Sequence, residues 1–134
     1  MLEWLRKKKE TPLTGAPAVR RQKTYSAESG YVYQYFYEGQ RPAERDGNPG
    51  AQYVFNVSSD RKSSMPVSVF VSEASLAGWQ TEHSRQLSST EKYAVAKMTL
   101  FQAFDRRATP TDMSEEVVVE PADVEAILST LDIS

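Results

Sequence analysis

Three features of this 134-residue chain predict an α+β domain. Tyr31, Tyr33, Tyr35 and Tyr37 fall at every second position, the period of a strand. Residues 51–58 and 67–71 alternate in the same way. Beyond residue 72 the apolar residues recur at helical spacing instead. The expected order is an antiparallel three-stranded meander, two helices, a short strand and a C-terminal helix. Written out, it is β-β-β-α-α-β-α, with the helices mainly on one sheet face.

The first strand spans residues 31–38, its four tyrosines on one side and Val32 and Phe36 on the other. Residues 39–50 are dense in turn formers, Asp46-Gly47-Asn48-Pro49-Gly50 above all, and read as a long hairpin loop. In the second strand Tyr53, Phe55 and Val57 share a face, with Gln52, Val54 and Asn56 opposite. After a polar connection at 58–64, Pro66 opens the third strand, where Val67, Val69 and Val71 oppose Ser68 and Phe70. Ser72 suits a helix N-cap, and Leu76, Trp79, His83 and Leu87 form one stripe after it. Ser88-Ser89-Thr90-Glu91 fits a capping box, in which hydroxyl and carboxylate satisfy free backbone N–H groups reciprocally. The helix behind it runs to about Arg107 and carries a broad apolar arc including Tyr93, Ala96, Leu100, Ala103 and Phe104. An arc that wide requires both the sheet and another helix as neighbours. Val117-Val118-Val119 reads as a short strand, and Pro121 suits the first turn of a last helix striped by Val124, Ile127, Leu128 and Leu131.

Composition removes several function classes. The chain has no cysteine and one histidine, so disulfides, thiolate metal sites and cysteine nucleophiles are excluded. His83 has no oriented serine–acid partners in sequence, and no metal-ligand spacing, phosphate-binding glycine pattern or cofactor motif is present. No catalytic, cofactor or metal residues are assigned, and a non-enzymatic protein is expected. Residues 1–25 carry a balance of +5 and residues 26–134 one of −7. Residues 1–24 are expected to form a flexible basic leader and residues 25–134 a single domain. Leu2, Trp4 and Leu5 ahead of Lys7-Lys8-Lys9 offer only marginal membrane contact through residues 1–9, since stable anchoring takes two signals. A cytoplasmic location is the default.

Arg41-Pro42-Ala43-Glu44-Arg45 with Asn56-Val57-Ser58 loosely resembles the RxxxR and D/NxSxxG pair of PilZ cyclic-dinucleotide receptors. Arg61 stands where that motif has its last glycine, and the family assignment is not adopted. The tyrosine strand could stack on unpaired bases, with Arg41, Arg45 and Lys62 on phosphates, but an acidic body argues against nucleic acid. Instead, helices covering one sheet face would leave the other exposed, and such patches mark association sites. The expectation is an interaction module that forms a two-fold homodimer through Tyr31, Tyr33, Tyr35, Tyr37, Val54 and Phe70. A nucleotide or single-strand binder is the alternative, and a carboxylate-dependent enzyme the third.

Overall fold

The computed structural model describes residues 11–134, so the apolar–basic run at residues 1–9 lies outside the described residues. Five strands form one sheet in sequence order. They are β1 (Lys23–Ser26), β2 (Val32–Arg45), β3 (Asn48–Ser58), β4 (Met65–Ser72) and β5 (Val117–Val118). The first four pair antiparallel as a meander, and β5 joins β4 in parallel. Helices α1 (Glu73–Glu82) and α2 (Ser89–Arg106) lie between β4 and β5, as a parallel pairing requires. A 3₁₀ turn (Pro110–Ser114) precedes β5, and α3 (Pro121–Thr130) closes the chain.

The α+β class and the helix order match expectation, but the sheet is larger and mixed. Strand β1 carries no sequence signal, because only Tyr25 of its four residues is drawn into the protein, too little to show a period. Tyr25 stacks on Phe101 of α2 at 4.3 Å between centroids, and its hydroxyl donates to Asp105 Oδ2 at 2.7 Å. Burial and that acidic partner push the phenol up to about 12. The expected long loop at 39–50 is instead strand. Register runs to Arg45↔Asn48, leaving Asp46-Gly47 as a two-residue turn with φ of 52° and 81°, the positive values of a type I′ hairpin. Two prolines made this stretch look like loop. Pro42 lies beyond the reach of β1 and Pro49 beyond the end of β4, so each sits where its strand lacks a neighbour on one side.

One apolar core fills the space between sheet and helices. Tyr33, Tyr35, Tyr53, Phe55, Val67 and Val69 reach it from the strands, Leu76 and Trp79 from α1, and Val124, Ile127 and Leu128 from α3. Helix α2 supplies Val95, Ala96, Leu100, Ala103 and Phe104, and packs against both β4 and α3. Its cap is the expected box: Ser88 Oγ accepts from Glu91 N at 3.1 Å, and Glu91 Oε1 accepts from Ser88 N at 2.9 Å. Ser72 likewise caps α1 by accepting from Ser75 N. Within β2 the register shifts between Tyr37 and Gly39. Gly39 takes φ of 133°, and a Cβ there would stand 2.8 Å from Thr14 O. The irregularity lets residue 14 bridge to Gln40, each accepting the other's N–H at 2.8 Å.

Candidate functional site

The tyrosine face is the core face. Tyr33 is fully buried and Tyr35 nearly so, and Phe104 stacks on Tyr33 at 4.1 Å with 10° between planes. Tyr37 is half-buried against Tyr93, and Tyr31 is the exposed member at 38%. Desolvation raises the phenols of Tyr33, Tyr35 and Tyr37 above the ordinary tyrosine value. Val54 and Phe70 lie on the opposite face as expected, yet they are 6% and 2% exposed. Four of the six residues chosen as an interface are therefore covered within a single chain.

What covers Phe70 is a charge network that sequence could not foresee. Arg45 lies 5.3 Å over its ring and pairs with Glu116 in both prongs, Nε to Oε1 at 2.7 Å and NH2 to Oε2 at 2.9 Å. Gln52 Nε2 donates to Ser68 Oγ at 3.0 Å and to Glu116 Oε2 at 3.2 Å, tying three strands to the segment before β5. Glu116 is separated from Arg45 by 71 positions, so no local pattern announces the pair. One arginine of the RxxxR pair is thereby committed to a carboxylate of its own chain.

The uncovered part of this face belongs to β1, β2 and β3. A depression of about 460 Å³ lies there, lined by Gln22, Thr24, Gln34, Phe36, Asn56 and Ser58 of the strands and by Arg61 and Lys62 of the β3–β4 loop. Its floor is polar because alternation places Thr24, Gln34, Phe36, Asn56 and Ser58 on the side opposite the tyrosines, in register Thr24↔Gln34↔Ser58 and Phe36↔Asn56. Gln34 is 5% exposed, and its side-chain oxygen is buried without a hydrogen-bond partner. Leaving such a group unpaired costs about 1–3 kcal/mol, which a donor arriving from outside would recover. Phe36 offers a partly exposed ring beside it.

The rim is built by short-range chemistry. Asp60 Oδ1 accepts from the N–H groups of Lys62 and Ser63 at 2.8 and 2.9 Å, and these bonds hold its carboxyl below the usual range. Ser58 Oγ accepts from Arg61 N at 2.9 Å, and Arg61 adopts φ of 63°. The turn sets Arg61 and Lys62 beside the floor. Phe36 also lines a second depression of about 530 Å³ with Arg20, Arg21, Lys23, Tyr35, Tyr37 and Tyr93. It opens along β2 between the end of β1 pairing at Tyr35 and the bridge at Gln40. Arg20 reaches Glu38 at 3.5 Å, but Arg21, Lys23, Arg61 and Lys62 have no carboxylate partner among the described residues. Lys97 lies close to Lys23, and burial followed by that like charge lowers its ammonium below the ordinary lysine value. On the face of Phe36 the unpaired cations are Arg61 and Lys62, whereas Lys23, opposite Tyr35 in register, lies on the helix side with Lys97.

His83 behaves as a packing residue. Its ring stacks on Trp79 at 4.0 Å, and Nδ1 lies 2.9 Å from the Trp79 carbonyl oxygen. Arg85 covers the same indole at 5.0 Å while pairing with Glu91. The fold also brings ligand atoms of Glu82, His83 and Glu125 within 4.8 Å of one another, a grouping hidden by the sequence distance to α3. Both carboxylates are exposed, and exposed acidic groups of this kind are common without an ion.

No helix among the described residues is long and apolar enough to cross a membrane. No family model matches the sequence, and no curated protein or solved structure shows significant similarity to the chain.

Proposed function

We propose that this protein is a non-enzymatic, cytoplasmic binding module whose working surface is the open face of β1, β2 and β3. The buried, unpartnered Gln34 oxygen in the floor of the polar depression carries this reading. A fold that hides apolar residues on both sides of its sheet has no packing need for a desolvated amide there. Preformed concavities with a few convergent polar groups are where ligands bind. Thr24, Gln34 and Asn56 supply donors and acceptors, Phe36 supplies a flat apolar contact, and the rim supplies positive charge.

Self-association through the same face is a second reading, favoured by Val32 at 42% exposure four residues from Phe36 on the same side of β2. It replaces the contact set centred on Val54 and Phe70, both buried within the single chain. Mapping amide chemical-shift changes while titrating small aromatic and amide fragments tests the surface assignment. Responses should concentrate at Thr24, Gln34, Phe36, Asn56 and Arg61. Responses concentrated around His83 and Glu125, with this face silent, would remove the assignment.

A further inference from the structure

The geometry points to single-stranded nucleic acid as the ligand of this face, with a base held over Phe36 and Gln34 and phosphates on the flanking cations. The ligand class rests on the open face being the working surface. Three observations select it. First, Gln34 and Asn56 put two side-chain amides in the depression whose floor carries Phe36. Amide edges pair with base edges, and an aromatic ring receives a base by stacking, the two contacts through which unpaired bases are recognised. The unpartnered Gln34 oxygen calls for a donor, which the exocyclic amino groups and ring N–H groups of bases provide.

Second, Arg61 and Lys62 border the depression that holds Phe36, Gln34 and Asn56. Two adjacent cations beside one stacking ring match successive phosphates of a strand better than the single phosphate of a mononucleotide. Third, the positive border stands out against the acidic remainder of the chain. Residues 109–134 contain seven acids and no Lys or Arg, so an anionic strand is steered to this face and away from α3. A duplex is a poor fit, because its bases are already stacked and cannot reach Phe36.

The test uses the full chain and a fluorescently labelled strand of about eight nucleotides, a length within single-module site sizes. Anisotropy at about 50 mM salt should show saturable binding that weakens as salt is raised. The strand should bind at least about tenfold more tightly than a duplex of the same sequence or a mononucleotide. Phe36→Ala should weaken binding by about tenfold, the scale of one lost base stack. Arg61→Gln and Lys62→Gln should each lower the log–log salt slope by about 0.7.

Gln34→Leu separates a ligand role from a structural one. It should raise the thermal midpoint, because the buried unpaired oxygen is gone, while weakening strand binding. No binding of the strand at low salt overturns the ligand class, even if fragment mapping still places the working surface on this face. Equal affinity for duplex, mononucleotide or inorganic polyphosphate, with Phe36→Ala silent, overturns it too. Binding left unchanged by Gln34→Leu removes the base-reading part of the inference.

Discussion

Replacing Phe104 with alanine should be among the most damaging single changes in this protein. The ring is fully buried, lies against Tyr33 at 4.1 Å, and stands 5.8 Å from Tyr25 and 6.3 Å from Tyr35. Truncation removes the transfer energy of a phenyl group and leaves a cavity that three rigid neighbouring rings cannot close. Phe→Ala at such sites costs about 3–5 kcal/mol, and this crowded setting argues for the upper half. The stacked geometry adds a term of its own, about 0.5–1.5 kcal/mol for the pair with Tyr33. A double-mutant cycle isolates it: Phe104→Leu and Tyr33→Leu keep most of the volume, and their coupling should fall in that range. Urea unfolding followed by circular dichroism measures both quantities, with constant m confirming comparable unfolded states. Should Phe104→Ala unfold the protein outright, the leucine cycle still reads the pair. A cost under about 1.5 kcal/mol for Phe104→Ala at unchanged m would refute the packing described, since no well-filled site yields so little.

Glu91 links acid stability to the start of α2: Arg85, then the Ser88 backbone, hold its carboxyl down to about 2 from 4.5. The folded state binds that proton more weakly than the unfolded state, so the contribution is present above about pH 4.5 and lost as pH falls toward 2. Thermal midpoints of wild type and Glu91→Gln should therefore differ at neutral pH and converge in acid; a constant difference would assign the effect to something other than ionisation. Gly50→Ala should destabilise by about 1–3 kcal/mol, because the new Cβ meets Ser72 Cα at 2.7 Å and the Phe70 ring at 3.0 Å. Gly78→Ala, within α1 with open space around it, should stabilise by about 0.5–1 kcal/mol, and paired denaturation curves check both signs. Light scattering at micromolar concentration addresses self-association. If the protein pairs through its open face, Val32→Asp with Phe36→Asp should give a folded monomer, and a monomeric wild type ends that reading.

Local chemistry wrote most of the elements into the chain. Alternation placed the strands, and the Ser72 and Ser88-x-x-Glu91 signals placed the starts of α1 and α2, because capping is settled within four residues. The apolar stripe of α3 and the arc of α2 followed from helical period alone. Signals that depend on neighbours are not legible in the same way. Pro42 and Pro49 looked like loop until the short reach of β1 and β4 gave them open sides. Four residues of β1 carry too little pattern to declare a strand. Only the tertiary structure decided which side of β2 is core, because Tyr33 and Phe36 are equally plausible core residues until a helix covers one of them. It also withdrew Val54 and Phe70 from the surface, Phe70 beneath an arginine–glutamate pair 71 positions apart that no window of sequence contains. The candidate site shares that origin. Thr24, Gln34, Asn56 and Arg61 are unremarkable polar residues in the chain, and only pairing β1, β2 and β3 puts an unpartnered amide, an open ring and a cationic rim in one place.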